Sequence, residues 1–535
     1  MPERLYFDCN ASFGPYPNKP REARWSKQHL LDDLDLAGVA GALVYHRLAQ
    51  HYSPMLANLR LVEEIGDDRE RLYPCWMALP SLSPEVPAVG EFVRQMVQHD
   101  VRAVRLEPEP FGIPIKDWIW GELRDALLER EVLCVVPIRY GGSLEPVDAL
   151  LSIFGEHNTL LQNHNWGQWR HVVALMEEHP NLHCEFSSFQ ANRAIEYFIE
   201  RCGPERCLFG TNLPEKAPGA ARGFLDFTLL PEEQASLVAG ENLRRLLGGQ
   251  GPTRVPEPGE WHDSITEAVR AGKPVPCFVA DGHCHLAEDG GQSLGGSRVA
   301  LRGDADGMIE LTRRCGIDET ALMSWVGPLC MDSDFGNETV AKAVERYPDE
   351  LIGLATINPE YDDKEQIERI IRRYHVELGF PGLKTLTTCQ TIHYDNPLFE
   401  RWFQFANDNN LYLVLDAAGT PDEVVRNVAE RYPNLSLHLD HCGKSWAYAK
   451  SVVALMTEYG NLWAQLNYTL VTNGVIEYLA EQVGADRMLF GTDAPMRDPR
   501  PQVGWLAFTR LPEADKRKIY GENFAGILRR AGVAV

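Results

Sequence analysis

At 535 residues the chain is too long for one hydrophobic core, and its 44% apolar and 24% charged residues are ordinary for globular protein. A net charge of −24 with no basic stripe argues against a phosphate backbone as partner, and no apolar run approaches the roughly 20 residues of a membrane span. The twelve cysteines are scattered without CxxC spacing, and MPERLYFDCN is not an export signal, so reduced thiols in a cytoplasm are expected. A small anionic substrate stays compatible with this charge, because a few local cations can dominate a pocket.

In chain order, the first half offers β-type runs at 5–10, 39–45, 72–79, 101–107, 132–138, 158–164, 182–188 and 207–212. GGQGPTRVPEPGE (248–260) reads as a linker, and WHDSITEAVRAG (261–272) as a short bridging helix. The second half repeats the count, with strands expected at 278–281, 319–326, 351–357, 382–386, 411–416, 435–441, 462–467 and 488–493. Helical patterns such as 397–410 and 421–433 lie between them. Eight strand–helix units in each half predict an α/β protein of two tandem (β/α)8 TIM-type barrels. The expected division is 1–250, a linker with a short helix at 251–276, and 277–535. An open, doubly wound sheet is the alternative.

The halves are copies. LFGTDAP (489–495) repeats LFGTNLP (208–214) at an offset of 281, with Asp493 opposite Asn212. The same offset lays IEYLAEQVGADRM (476–488) on IEYFIERCGPERC (195–207), and LPEADKRKIYGEN (511–523) on LPEEQASLVAGEN (230–242).

The residues that carry chemistry cluster in the second half. VADGHCHLAEDG (279–290) places His283 and His285 at the end of the first strand, where alternation points both the same way. At the C-terminal mouth of a barrel such a pair can share a metal; two hydrogen-bonded surface histidines are the bland alternative. Strand six ends LHLDHCG (437–443), with His441 at its tip and His438 expected against the helix layer. Strand eight ends FGTDAP (490–495), with Asp493 at its tip. Three strands thus end in ligand or acid/base side chains at one face.

These motifs, with GLKTL (382–386) at strand four, resemble the amidohydrolase superfamily, in its branch of decarboxylases of aromatic and muconate-type acids and lactonases. The resemblance spans the whole second barrel. It implies one divalent metal, zinc first and manganese second, on His283, His285 and Asp493, with His441 as acid or base and Asp493 also catalytic. The family's strand-five histidine is Asp416 here, in LYLVLDAAG (411–419). Asp416 is a candidate fourth ligand or a substrate-binding group, and a metal-free site stays open. Lys384, Trp325 and Arg497 are candidate contacts for a planar acid, and Asn467 and Tyr468 are weaker ones. The expected activity is metal-dependent hydrolysis of a small carboxylated lactone, amide or related cyclic intermediate. Non-oxidative decarboxylation on the same site and a non-catalytic binding or scaffold role are the alternatives. Pocket shape should depend on the loops 286–304 and 327–337.

The first half has lost this set. Asn10, Ser12 and Asn212 stand opposite His283, His285 and Asp493, and Arg105 opposite Lys384. Asn165 is aligned with His441, and His164 is one residue off and faces away. Asn and Ser are poor metal ligands and do not titrate near neutrality. The first barrel is therefore expected to be a degenerate copy that pairs intramolecularly with the second, in place of a partner subunit; homo-oligomers stay open. Ligand binding through Arg105, His164 and Trp166 is the competing expectation.

Overall fold

A computed structural model describes residues 4–139, 142–287, 299–468 and 470–535. The chain divides into two compact units, Met1–His262 and Asp263–Val535. In the first, eight parallel strands are hydrogen-bonded in chain order: β1 (Phe7–Phe13), β2 (Gly41–His46), β3 (Leu72–Met77), β4 (Ala103–Arg105), β5 (Leu133–Pro137), β6 (Thr159–Gln162), β7 (Leu182–Glu185) and β8 (Cys207–Leu208). In the second they are β9 (Ala280–Leu286), β10 (Glu319–Ser324), β11 (Leu351–Ala355), β12 (Gly382–Lys384), β13 (Tyr412–Leu415), β14 (Ser436–Leu439), β15 (Leu462–Leu466) and β16 (Met488–Phe490). Helices alternate with the strands, giving two tandem (β/α)8 barrels.

Each expected strand is found, most of them shorter. β9 differs most, because the expected strand stops at residue 281 while the real one runs on through both histidines. The polar composition of GHCH hid this. Pairing of His285 with Met323 of β10, and the His285 N–H bond to the Ala494 carbonyl at 2.6 Å, carry the strand forward.

Each ring closes between its first strand and the turn after its eighth. Asp281 accepts from the backbone N–H groups of His283 and Thr492, both at 3.0 Å, and from the Thr492 hydroxyl. Asp8 repeats this with Asn10 N–H at 2.8 Å, Thr211 N–H at 3.0 Å and the Thr211 hydroxyl. Backbone bonds then cross the seam, from Asp493 N–H to the His283 carbonyl at 2.9 Å, and from Asn212 N–H to the Asn10 carbonyl at 2.8 Å.

The repeated GEN sequence has a packing cause. A Cβ on Gly240 would lie 2.6 Å from the Leu5 carbonyl, and one on Gly521 2.6 Å from the Phe278 carbonyl. Only glycine lets each π-helical turn approach the chain entering its first strand. The following asparagine then clamps strand eight: Asn242 donates to the Pro204 and Cys207 carbonyls, and Asn523 to those of Ala485 and Met488. Side chains of the last helix of each unit join one core cluster with strand residues of its barrel. Phe524, Ile527 and Leu528 pack with Ala280, Met323, Tyr412 and Leu489, and Leu243 and Leu246 with Phe7, Leu133 and Leu208. Each such large side chain removed from water contributes about 1.5–3 kcal/mol.

The helix Ser264–Arg270 lies in the second unit; Thr266 donates to the Ala507 carbonyl, and Lys516 reaches Asp263. All twelve cysteines are unpaired. Among the described residues no helix is long and apolar enough to cross a membrane.

Asp281→Ala or Asp8→Ala would strand three buried donors, at roughly 1–3 kcal/mol each. Each variant is expected to lose at least about 3 kcal/mol in urea unfolding. A loss below about 1 kcal/mol would show that the aspartate does not hold the seam.

Candidate active site

Strand β9 and the turn after β16 bring three expected residues together. His285 Nε2 lies 2.9 Å from Asp493 Oδ1, and His283 Nε2 4.0 Å from the same oxygen. The donor atoms of all three buried residues lie within 4.8 Å of one another. Asp493 sits at φ 59°, a left-handed conformation that Asp tolerates better than most residues. Burial alone would raise its carboxyl pKa, but the His285 hydrogen bond and the His285, His441 and Arg497 charges hold it well below the carboxylate range. Burial pushes both imidazoles below the usual histidine value. Two imidazoles and a carboxylate suit a divalent ion, and three protein donors leave a coordination position open. His283 Nε2 is also buried without a hydrogen-bond partner, as an atom awaiting a ligand would be.

His441 stands beside this trio. Its chain turns to φ 60° after β14, fixed by a bond from its N–H to Asn467 Oδ1 at 2.7 Å. Its ring centre lies 6.0 Å from that of His283 and 5.0 Å from that of Tyr468, and its Nε2 is 3.6 Å from Asp440 Oδ2. The turn also corrects the expectation for His438. Alternation fails between residues 438 and 441, so His438 is not against the helix layer. It stacks on Tyr412 in the barrel interior at 4.8 Å, beside Phe524, and burial lowers its pKa to about 3.

Lys384 is fully buried and pairs with Asp440 Oδ2 at 3.0 Å, rather than lying at the rim. Burial raises the Asp440 carboxyl, opposed by the His441 and Lys384 charges. Asp440 also accepts the Ala417 N–H at 3.2 Å. Asp416 falls in this second cluster, with Asp440 and His441, and not with the trio. It is partly exposed, and its carboxylate accepts from Thr388 Oγ1 at 3.1 Å. Trp325 lies edge-on to the His285 ring at 4.6 Å. The Arg497 guanidinium is 5.9 Å from the Tyr468 ring centre. Of the loop 286–304, residues 288–298 lie outside the described residues; 327–337 runs into the helix Ser333–Arg346.

Sequence reasoning missed Asp440 and gave Asn467 little weight. Asp440 was legible only as the D of DHCG, and it gains meaning once Lys384 is seen to reach it across two strands. Asn467 bonds the His441 N–H and, through Nδ2, His283 Nδ1 at 2.7 Å.

In the first barrel the residue matching His441 is Asn163, not Asn165. Strand register sets Asn163 one place beyond Gln162, as His441 stands beyond Asp440. Asn163 shares the left-handed turn at φ 63°, and its N–H likewise bonds a side chain from β7, Glu185 Oε1 at 2.8 Å. Arg105 donates to Gln162 Oε1 at 2.6 Å, the counterpart of Lys384 on Asp440. Asn165 instead caps a short 3-10 turn. His164 is buried against Phe189, its ring centre 4.8 Å away. Among the described residues, both candidate metal-binding groups belong to the second barrel.

A family model described as amidohydrolase matches residues 154–249 and 280–530, more than half of the chain. The chain belongs to the amidohydrolase family and is an enzyme of that family. No curated protein matches it. Solved structures similar to it include a dihydroxybenzoic acid decarboxylase from Polaromonas with bound manganese and 2-nitroresorcinol, at 20% identity and TM-score 0.37, covering 48% of this chain and 98% of that one. The 5-carboxyvanillate decarboxylase of Sphingomonas paucimobilis aligns at 16% identity and TM-score 0.36, over 47% of this chain and 99% of its own. The 4-oxalomesaconate hydratase of Rhodopseudomonas palustris aligns at 12% and 0.36, over 48% and 97%.

Truncating one partner of a buried ion pair typically costs about 3–5 kcal/mol, whereas replacing both can be neutral. Lys384→Met is therefore expected to destabilise the protein by roughly that amount in urea unfolding, and Lys384→Met/Asp440→Leu by clearly less. A double-variant loss equal to the sum of the losses in Lys384→Met and Asp440→Leu would show that the pair is not coupled.

Proposed function

We propose that the second barrel is the catalytic unit and hydrolyses a small carboxylated lactone, amide or related cyclic substrate at the mouth formed by His283, His285, Asp493 and His441. The convergence of these four side chains, from three strands, carries the reading. His441 is the proposed acid/base: its imidazole can both accept and donate a proton, and it borders the trio while the Asp440 carboxylate lies beside its Nε2. The Asp493 carboxylate, held ionised, accepts from His285 and fixes that ring. Arg497 and Tyr468 would hold the substrate carboxylate, and Trp325 would wall a planar ring. Lys384 would act through Asp440 rather than on substrate. His283, His285 and Asp493 would hold a divalent ion, zinc or manganese. What such an ion supplies is Lewis-acid polarisation of a carbonyl and a more acidic water.

The first barrel is proposed to be non-catalytic, since Asn10, Ser12, Asn163 and Asn212 offer no ionisable group at the matching places.

Turnover in oxygen-18 water is expected to label the product carboxyl without release of carbon dioxide; stoichiometric carbon dioxide would replace hydrolysis by decarboxylation. His441→Asn is expected to lower kcat roughly 10²–10⁴-fold, and Asn10→Ala to leave kcat unchanged. A large loss in Asn10→Ala would move chemistry to the first barrel.

A further inference from the structure

We infer that Asn467 is a positioning residue that keeps the proton of His283 on Nε2, the atom a metal would need, so that the side chain at 467 sets how tightly this mouth holds a divalent ion.

The argument starts from a group with only one polarity. The His441 backbone N–H can only donate, and it points at the Asn467 amide at 2.7 Å. The amide end facing it must be the oxygen, whichever way the side chain is drawn. The opposite end is then NH2, and it lies 2.7 Å from His283 Nδ1. An NH2 has no acceptor to offer, so Nδ1 must present its lone pair. The imidazolium and the Nδ1–H tautomer both put a second donor there. What remains is the neutral ring with its proton on Nε2, directed at the trio.

A metal taking Nε2 must displace that proton and drive the ring to Nδ1–H, facing the NH2 group. Flipping the amide only moves the conflict to the His441 N–H. Metal-bound histidines are ordinarily backed by an acceptor on the other ring nitrogen, and losing such a partner typically weakens metal binding roughly 10–100-fold. His285 has no such backing here either, because its Nδ1 is buried without a hydrogen-bond partner.

In the first barrel an acceptor reaches the same two partners from a neighbouring position, because strand register sets Glu185 opposite Gln465 and Ser187 opposite Asn467. There Glu185 accepts from the Asn163 N–H at 2.8 Å and from Asn10 Nδ2 at 3.2 Å, the residues matching His441 and His283. A carboxylate facing both partners is therefore compatible with this fold.

The inference deepens the proposed site and rests on it only in taking the trio as the place a metal would bind. The test uses the full-length protein, stripped with chelator, and the near-isosteric variant Asn467→Asp. Zinc and manganese titrations followed by calorimetry should show roughly 10–100-fold tighter binding to Asn467→Asp than to the wild type. The variant also adds a charge, so the tautomer is read separately. Proton–nitrogen correlation spectra of histidine-labelled wild type, with His283→Gln for assignment, should show His283 protonated on Nε2. A wild-type Nδ1–H tautomer would overturn the inference even if the variant fails to fold. So would wild-type zinc that survives chelator dialysis at one equivalent, or a folded variant that binds no tighter. Neither measurement uses substrate, so failure here is distinguishable from failure of the hydrolase reading.

Discussion

The seam between strands one and eight is the constraint on which the second barrel's site depends. One buried carboxylate, Asp281, gathers three donors, two of them from the residue just before Asp493. That fixes the spacing of β9 and the strand-eight turn, and the backbone bond from Asp493 N–H to the His283 carbonyl locks the two side chains face to face. A closed parallel barrel has no free edge to absorb a slip, so an error at this seam would separate the donors. Burial raises the Asp281 pKa to about 7 despite its three donors, and the site tolerates that cost in return for closure.

Much of this was legible in the chain because its signals are local. The eight strands per half, the GEN and LFGT repeats, and the grouping of His283, His285 and Asp493 follow from period, turn residues and duplication. What the sequence concealed depends on contacts between strands distant in the chain. Lys384 and Asp440 meet from β12 and the end of β14, and neither position carries a local sign of the other. His441 and His438 were misassigned relative to each other because period-two alternation holds only while the backbone stays extended, and residue 441 lies at φ 60°. The same turn explains the two-residue error at Asn165. Two residues, 164 and 165, separate that turn from Trp166-Gly167 in the first copy, whereas Cys442-Gly443 follows His441 directly, so counting back from these pairs misses the turn.

The comparison of the two copies separates what holds a barrel from what the second copy adds. The Asp–Thr clamp, the glycine contacts under the last helix and the asparagine clamp on strand eight are the same in both. So are the left-handed turns, which Asn163 and Asn212 adopt where the second copy has His441 and Asp493. Asparagine is a fitting replacement at both places, since it tolerates that conformation and keeps hydrogen-bonding capacity without a charge. Backbone geometry has therefore been kept while titratable groups have been exchanged.

Those exchanges are coupled. Where His283 becomes Asn10, Asn467 becomes Ser187 and Gln465 becomes Glu185, and the amide of Asn10 turns its NH2 toward that carboxylate. Where Asp440 becomes Gln162, Lys384 becomes Arg105, which then takes Glu107 as its counter-charge. In the first copy the exchanged donors, the Asn10 amide and the Arg105 guanidinium, both keep acceptors, because leaving one unpaired costs roughly 1–3 kcal/mol. The polarity at each mouth position is thus decided by its neighbours as a set. That is why a single side chain such as Asn467 can govern which protonation pattern, and hence which ligand, the imidazole beside it accepts.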